Sequence, residues 1–512
     1  MLYNNKIHKR TVEEIVVKYV STRNKVIKVS AAEAIKEGLS KEGGLFVPEF
    51  VPELKKEDYD YLTANSYIDR AAYILNKFLP EFSIDELTGF SNKAYGSGKF
   101  GSGAVTPLYK YDNESYFLEL WHGPTCAFKD MALQMLPHLL TASVKKTGDT
   151  RIVAILVATS GDTGKAALDG FSDVEGSKII VFYPKDGVSE IQRIQMITQE
   201  GKNVYVCGVD GNFDDAQTGV KNIFTNNEYN EKLNSNGVIL SSANSINWGR
   251  LVPQIVYYIS AYADLVKEKR IKNGDKINIC VPTGNFGNIL AAYYAKKMGL
   301  PVNKLICASN SNNVLTEFIN TGTYDKNRDF ILTMSPSMDI LISSNLERYI
   351  YLASGENDSY INEIMSDLAE KGKYTVTDEI KAKIKDDFYA DFATENETLT
   401  EIKESFNDKK YLMDSHTAVA SCVLKKYKKE TNDQTVTVVA STANPYKFNG
   451  SVLEALEISH NISDEFELLG LLNEKTRLEI PLALSSLKEK EKRFQRNCET
   501  EEMINIVSEF LK

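Results

Sequence analysis

The sequence predicts an α/β fold in which parallel sheets are wrapped by helices. From about residue 150 onward, apolar runs alternate with helical segments at least five times, as in chains that build a parallel sheet. The runs are continuously apolar, which is typical of strands buried on both faces. Several of them lead into loops rich in Gly, Ser, Thr and Asn, and ligands bind in such loops at the carboxyl ends of parallel strands.

The predicted strands are short runs of β-branched and other apolar residues. They are RIVAILVA (151–158), KIIVFYP (178–184), VYVCGV (204–209), GVILSSANS (237–245), KINICVPTG (276–284), KLICASN (304–310) and TVTVVAS (435–441). The segments between them have apolar residues at helical spacing. These predicted helices are KAALDGF (165–171), SEIQRIQMITQEG (189–201), DDAQTGVKNIF (214–224), LVPQIVYYISAYADLVKEK (251–269) and NFGNILAAYYAKKMG (285–299).

Changes in composition predict the domain organisation. Residues 1–100 mix helical and turn-rich pieces and form a separate amino-terminal domain, and residues 101–310 form the α/β core. Residues 311–410 are rich in Asn, Asp, Glu and Lys, which predicts an inserted or second helical region. The chain returns to the core over 411–450, and the charged, periodic residues 451–512 are predicted to be terminal helices.

Composition and charge exclude several classes of protein. The 512 residues are 43% hydrophobic and 25% charged, which is ordinary for a soluble globular enzyme. A net charge of −10 argues against a partner that is a nucleic acid or an anionic membrane. The first twenty residues lack the apolar run of a secretory signal. The longest apolar stretch is broken by Pro253, Gln254 and Asp264, so no transmembrane helix is expected.

The cysteines and histidines show no metal-binding or redox spacing. The six cysteines are scattered, and even the closest pair, Cys280 and Cys307, is too widely spaced for a zinc or dithiol motif. The five histidines form no cluster. We therefore expect free thiols, no metal site and a cytoplasmic protein.

The loop ATSGDTGK (158–165) resembles a nucleotide-binding P-loop but departs from it at two positions. A P-loop requires Gly where Thr159 stands, and Ser or Thr where Ala166 stands. The sequence therefore argues against an ATP or GTP hydrolase.

The loop PTGNFGN (282–288) leads from a predicted strand into a helix. Its glycines, Gly284 and Gly287, give G-x-x-G and not the dinucleotide pattern G-x-G-x-x-G. Backbone N–H groups at the start of a helix can still bind a phosphate. An ordinary strand-to-helix turn explains the same residues equally well.

Two further loops carry polar side chains after predicted strands. In ASTANPYKF (440–448), Ser441 and Thr442 are either helix caps or contacts to a ligand. SANSINWGR (242–250) contains Asn244 and Arg250. Arginine suits bidentate binding of phosphate or carboxylate, although a solvated residue at a helix start is the simpler interpretation.

The stretch HGPTCAFKDMALQ (122–134) places Lys129 among small, aromatic and aliphatic residues. One interpretation is a surface helix whose lysine extends into water. The other is an amine held in a pocket, where burial lowers its pKa and makes it nucleophilic. Such an amine forms a Schiff base with an aldehyde, and a phosphate-binding loop in the same sheet would suit pyridoxal phosphate (PLP). Together these features indicate a PLP enzyme.

Several motifs resemble the threonine synthase family, in the longer form found in bacteria and fungi. STRNK (21–25) and GLSKEGGLFVPE (38–49) are similar to its amino-terminal domain, and HGPTCAFKDMALQ to its lysine segment. ATSGDTG is similar to its substrate loop, and GNFGN to its cofactor-phosphate loop. SPSMDILISSNLER (335–348) is similar to a segment of the long form. The resemblance covers most of the chain.

The resemblance implies a PLP fold of the tryptophan synthase β type (fold type II), with an extra amino-terminal domain and an inserted helical region. It also implies a carbon–oxygen lyase that converts O-phospho-L-homoserine and water to L-threonine and phosphate, as a monomer or homodimer. Lys129 would bind PLP covalently and then act as the base. The other implied residues are Gly284, Asn285, Phe286, Gly287 and Asn288 for the cofactor phosphate, Thr442 for the pyridine nitrogen, Ser160, Asp162 and Thr163 for the substrate carboxylate, and Asn244 and Arg250 for the substrate phosphate.

Three positions depart from the family pattern, and two rival functions stay open. Asn444 and Tyr446 replace a His and a small residue, and Cys126 stands where an aliphatic residue is common. One rival is another PLP lyase on the same scaffold, such as a threonine dehydratase or a phospho-amino-acid lyase. SPSMDILISSNLER and Arg250 favour a phosphorylated substrate over that of a dehydratase. The other rival is a binding or regulatory protein that keeps the fold, against which the intact Lys129 counts.

Overall fold

The computed structural model describes residues 17–96, 98–101, 103–159 and 161–512. The expected absence of a secretory signal concerns a segment that lies mostly outside this range, and the predicted substrate residue Ser160 lies outside it too. Within the described range, no helix combines the length and the apolar character needed to cross a membrane. The six cysteines are all buried, free thiols.

The amino-terminal part pairs a small antiparallel sheet with four helices. Its elements are β1 (Tyr19–Ser21), β2 (Asn24–Val29), α1 (Ala31–Glu37), β3 (Phe46–Pro48), α2 (Lys56–Ala64), α3 (Tyr67–Phe78) and α4 (Ile84–Tyr95). Strand β1 lies between β2 and β3. Ser30 and Ser83 begin α1 and α4 with reciprocal side-chain and backbone hydrogen bonds to the glutamate three residues on, which satisfies the first free N–H groups of each helix.

The next part of the chain contains most of a parallel sheet. Its elements are β4 (Leu108–Lys110), β5 (Ser115–Glu119), α5 (Lys129–Leu133), α6 (Leu136–Lys146), β6 (Ile152–Ala158), α7 (Asp162–Phe171), β7 (Ser177–Pro184), α8 (Glu190–Ile197), β8 (Val204–Val209), α9 (Phe213–Thr225), α10 (Asn227–Ser235) and β9 (Val238–Ser241). Strands β8, β7, β6 and β9 are neighbours in that order, and all pair in parallel. These four strands confirm the prediction from the apolar runs.

The central part of the chain builds a second sheet. Its elements are α11 (Trp248–Lys267), β10 (Ile277–Pro282), α12 (Gly287–Lys297), β11 (Val302–Ser309), α13 (Val314–Thr321), β12 (Thr323–Asp325), α14 (Leu346–Ala353), α15 (Asp358–Glu370), β13 (Lys373–Thr375), α16 (Asp378–Asp387), β14 (Phe388–Phe392), α17 (Glu395–Lys409), α18 (Ser415–Thr431) and β15 (Thr437–Ser441). The six strands run in the order β14-β11-β10-β15-β5-β4. Only the edge pair β4–β5 is antiparallel.

The predicted α/β class with parallel sheets wrapped by helices is therefore confirmed, and the predicted strands are divided between two sheets. Strands β10 and β15 are buried along their whole length, as expected for strands covered on both faces. The region 311–410 is largely helical but also supplies the edge strand β14. The domain boundaries given above stay a prediction.

The carboxyl-terminal part completes the first sheet. It contains α19 (Asn449–Ala455), α20 (Glu465–Thr476), α21 (Leu482–Ser485), β16 (Asn497–Cys498) and α22 (Met503–Leu511). The two residues of β16 pair in parallel with β8 and extend the first sheet to five strands. The segment predicted as terminal helices is thus helical with one short strand.

Candidate active site

Lys129 is the first residue of α5, and its side chain is only 11% exposed. Its Nζ donates a hydrogen bond to Ser337 Oγ at 3.1 Å and lies 3.6 Å from Asp162 Oδ2. Burial lowers the pKa of Lys129, and the attraction of Asp162 opposes this shift only in part. Lys129 is therefore an amine held in a pocket. The interpretation of Lys129 as a surface lysine that extends into water is excluded.

Asp162 is the first residue of α7, which follows the carboxyl end of β6. Its carboxylate therefore connects the first sheet to Lys129. Its Oδ1 accepts hydrogen bonds from Gln192 Nε2 at 3.0 Å and pairs with Lys447 Nζ at 2.6 Å. Burial disfavours the carboxylate charge, but Lys447 and Lys129 together hold the pKa of Asp162 well below its ordinary value. Asp162 thus faces the side-chain nitrogens of two lysines and is an ionised carboxylate.

The turn before α7 has its own internal hydrogen bonds. Thr159 Oγ1 accepts from the N–H groups of Gly161 and Gly164, at 3.0 and 2.9 Å. Gly161 has a φ of 137°, and a Cβ there would lie 2.4 Å from the side chain of Gln192, so glycine is required. Thr163 is partly exposed in the first turn of α7. Its place in this turn leaves its hydroxyl near the start of the helix.

The loop between β10 and α12 contains the predicted phosphate-binding residues. Phe286, at a left-handed φ of 60°, turns the chain into α12, so that backbone N–H groups collect at the helix start. Asn288 Oδ1 accepts from the hydroxyls of Tyr257 and Tyr258. Its Nδ2 is buried and has no partner among the described residues. A buried donor of this kind is costly and fits a polar ligand beside it.

Gly284 lies against the segment that carries Ser337. A Cβ at Gly284 would lie 2.8 Å from Ser337 O, which is closer than side-chain carbons approach. The predicted phosphate-binding loop and Ser337, the partner of Lys129, are therefore in contact.

We expect Gly284→Ala to weaken PLP binding about tenfold, because the added methyl must displace Ser337 or the loop, at a cost of about 1–3 kcal/mol. Fluorescence titration of the cofactor-free protein with PLP measures the Kd. Gly89→Ala is the control, since a Cβ there meets nothing within 4 Å. An unchanged Kd for Gly284→Ala would show that the close approach has no consequence for the loop.

Thr442 follows the end of β15 and adjoins the lysine segment. Its carbonyl accepts a hydrogen bond from the N–H of Phe128 at 2.8 Å, and its own N–H donates to Thr417 Oγ1 at 3.3 Å. The structure thus holds Thr442 beside the residue that precedes Lys129.

Arg250 lies in the first turn of α11 and is buried. Its Nη1 donates to the carbonyl of Ala243 at 2.8 Å, whereas its Nε has no partner among the described residues. Burial lowers the pKa of Arg250 to about 10, and its charge in turn lowers the pKa of Lys129. Asn244, in the same loop, is exposed. Arg250 therefore belongs to the lysine site and has a free donor for an anion, whereas no described contact joins the Asn244 side chain to it.

The segment 335–348 connects the site to the rest of the molecule. Ser343 Oγ donates to Gly284 O at 2.7 Å, and Asn345 Nδ2 donates to Asn285 O at 3.1 Å. Arg348 is fully buried. It donates to Phe46 O at 2.9 Å, Asn345 Oδ1 at 2.6 Å and Ile246 O at 2.6 Å. The Arg348 side chain therefore connects β3 to the loop before α11. Through Asn345 it also connects both to the predicted phosphate-binding loop.

Sequence reasoning missed four residues of the site: Ser337, Asp414, His416 and Lys447. His416 Nε2 accepts from the N–H of Ser337 at 3.2 Å, and its Nδ1 pairs with Asp414 Oδ1 at 2.8 Å. This pair supports the residue that contacts Lys129. Ser337 and Lys447 stand within motifs already noted, but no local pattern singled them out.

Both the sequence and the structure of the chain are similar to those of known proteins. Three family models match the chain in sequence: threonine synthase N terminus over residues 18–95, pyridoxal-phosphate dependent enzyme over 100–442, and threonine synthase, C-terminal, over 417–507. The chain is also 36% identical over 479 residues to threonine synthase of Saccharomyces cerevisiae, covering 88% of this chain and 91% of that protein.

The chain belongs to the threonine synthase family.

Two further relatives extend the comparison. Threonine synthase-like 1 of Macaca fascicularis is 41% identical over 488 residues, which are 92% of this chain. The match spans 64% of the length of that relative. A crystal structure of PLP-bound threonine synthase from Brucella melitensis superimposes with a TM-score of 0.85 at 34% identity, covering 97% of this chain and 98% of that one. The family and the fold are those that the motifs implied.

The chain thus matches a family of PLP-dependent enzymes, and its residues fit the cofactor. Lys129 supplies a buried amine, and the start of α12 supplies N–H groups for a phosphate. Two buried donors, Asn288 Nδ2 and Arg250 Nε, have no partner among the described residues. A lysine, an anion-binding helix start and free donors are what PLP and an anionic substrate require.

Proposed function

We propose that this enzyme is a threonine synthase, which converts O-phospho-L-homoserine and water to L-threonine and phosphate, the last step of threonine biosynthesis. One observation carries the proposal: the buried amine of Lys129 lies near enough to the buried Arg250 for the arginine charge to lower its pKa, and Arg250 Nε has no described partner. The amine suits the cofactor, and the free guanidinium donor suits a phosphorylated substrate.

The cofactor residues are proposed by position. Bound PLP supplies an electron sink next to the substrate Cα. The N–H groups of the loop Gly284, Asn285, Phe286, Gly287 and Asn288 hold the phosphate of PLP, and the Thr442 hydroxyl binds the pyridine nitrogen. The contact between Phe128 N and Thr442 O supports this, because it fixes Thr442 relative to Lys129.

Lys129 is the proposed base. Once the substrate is bound, the amine of Lys129 removes a proton first from Cα and then from Cβ, so that phosphate leaves from Cγ. Its lowered pKa supports this role, since only the neutral amine accepts a proton. Ser337 Oγ, 3.1 Å from Nζ, orients the amine toward the reacting carbons. Lys129 passes the proton from Cβ to Cγ, which becomes the methyl group of threonine. Water then adds at Cβ, and a proton returns from Lys129 to Cα.

The two ends of the substrate have different partners. We assign the α-carboxylate to the loop of Ser160, Asp162 and Thr163, through hydroxyl and backbone N–H donors at the start of α7. The Asp162 carboxylate cannot hydrogen-bond to another carboxylate while both are ionised, so its part in this loop is to hold the lysines. Arg250 and Asn244 bind the substrate phosphate, and Arg250 stabilises the charge that develops as it leaves.

The product mixture tests the proposal. Purified protein with PLP and O-phospho-L-homoserine is expected to release threonine and phosphate in equal amounts. Phosphate with 2-oxobutyrate and no threonine would instead identify a lyase that uses the same scaffold. If neither product forms and no visible absorption band of lysine-bound PLP develops, the chain is a binding or regulatory protein.

A further inference from the structure

A second lysine, Lys447, lies in the active site with its side chain completely buried. It belongs to a short 3-10 turn, Pro445–Phe448, that follows β15. Its Nζ is 2.6 Å from Asp162 Oδ1 and donates to the carbonyl of Thr125 at 2.9 Å. Thr125 precedes Lys129 in the same loop, so Lys447 contacts both the carboxylate and the backbone that flank the reactive lysine.

Asp162 is shared unequally between two lysines. Its Oδ1 is 2.6 Å from Lys447, whereas its Oδ2 is 3.6 Å from Lys129. Because the attraction within an ion pair falls with distance, the ion pair of the carboxylate with Lys447 is the stronger of the two. Lys129 has the longer and weaker ion pair, and it donates a hydrogen bond to the neutral Ser337.

The charges around Lys129 do not balance. The charged groups that face it are Asp162 of α7, Lys447 of the turn after β15 and Arg250 of α11. The neighbour behind Ser337 is His416, which accepts from the Ser337 N–H through Nε2. Asp130, the next residue of α5, is a second buried carboxylate near Lys447, but burial raises its pKa to about 7. With the other groups charged, the Asp162 carboxylate would face three buried cations. Arginine stays protonated, and the ion pair of Lys129 is longer than that of Lys447, so the positive charge of Lys129 is poorly compensated.

We propose that Lys447 is a positioning residue that occupies Asp162 and thereby keeps the Lys129 amine neutral and ready to react. The direction of the pKa shifts agrees: burial lowers the pKa of Lys129, Asp162 raises it, and Lys447 lowers it further. The role of Lys129 as the cofactor lysine, on which this inference rests, is part of the proposed function.

The neutral fraction of Lys129 is measured without turnover. The full chain is stripped of PLP, pulsed with acetic anhydride across a pH series, and the acetylated Lys129 peptide is quantified by mass spectrometry. Only the neutral amine reacts, so the midpoint of the curve reports the pKa of Lys129. In the wild-type protein we expect this midpoint to lie below the ordinary pKa of an unpaired, exposed lysine. An ordinary midpoint in the wild-type protein overturns the inference without any variant.

Two variants separate charge from packing. Lys447→Met removes the charge and the hydrogen bond to Thr125, whereas Lys447→Gln removes the charge and keeps a donor. Both free Asp162 to pair with Lys129, so we expect the midpoint to rise by at least about one pH unit, a tenfold loss of neutral amine at a given pH. PLP binding and turnover should slow at neutral pH and recover at alkaline pH.

The matched control is Lys165→Met. Lys165 is another buried lysine, on α7, and it contacts Gln199 and Asp169. Its removal should leave the Lys129 midpoint unchanged. If Lys447→Gln folds and its midpoint also stays unchanged, Lys447 is only a structural ion pair. If the midpoint shifts as expected but the wild-type protein makes no threonine, the proposed reaction fails and the role of Lys447 stands.

Discussion

Replacing Lys129 by alanine is expected to abolish threonine formation and the visible absorption band of lysine-bound PLP. Two functions are lost together, because the same amine binds the cofactor covalently and moves the substrate protons. Loss of a general base alone costs about 10²–10⁴ in rate, so we expect turnover to fall below about one thousandth of the wild-type value. Absorption spectra with added PLP and a threonine assay measure the two effects.

The control for Lys129→Ala is Lys165→Met, which removes a buried lysine from the neighbouring helix α7 and should keep both the band and the activity. If Lys129→Ala formed threonine at the wild-type rate, the assignment of the reactive amine would be wrong.

Replacing Arg348 by alanine is expected to lower the free energy of unfolding more than the other substitutions proposed for this protein. The variant leaves three acceptors without their donor: the carbonyls of Phe46 and Ile246 and the side-chain oxygen of Asn345. Buried acceptors without a donor cost about 1–3 kcal/mol each, partly relieved by entering water, so the free energy of unfolding should fall by about 3–5 kcal/mol. Urea unfolding followed by circular dichroism measures this change.

The control for Arg348→Ala is Arg270→Ala. Arg270 forms an exposed ion pair with Glu268, and exposed pairs contribute little, so this variant should unfold at the wild-type urea concentration. We also expect Arg348→Ala to weaken PLP binding, because Asn345 loses the partner that orients it toward Asn285. Wild-type stability of Arg348→Ala would contradict its role as the tie between β3 and the phosphate-binding loop.

The sequence predicted those parts of the fold that depend on local pattern. Strands β6, β7 and β10 are continuous apolar runs because both faces are covered, and such runs are visible without a structure. Strand β14 was missed because it lies at the sheet edge, where Tyr389, Asp391 and Phe392 are only partly buried. An edge strand of this kind has no continuous apolar run by which it could be recognised in the sequence.

The candidate site was predictable only where a motif carried it. Lys129 and the loop from Gly284 to Asn288 stand in short, characteristic stretches. Lys447 and Asp162 are far apart in the chain, and they meet because one follows a strand of the six-stranded sheet and the other a strand of the five-stranded sheet. Since most lysines are exposed, no sequence pattern marks one that is buried against a distant carboxylate.

The central claim is that phosphate leaves by cleavage of its bond to carbon while water adds at the neighbouring carbon. Turnover of O-phospho-L-homoserine in water enriched in ¹⁸O tests this directly, with mass spectrometry of both products. The account predicts one ¹⁸O atom in the hydroxyl group of threonine and none in the released phosphate. Label in the phosphate, with homoserine as the second product, would show hydrolysis at phosphorus and would contradict it.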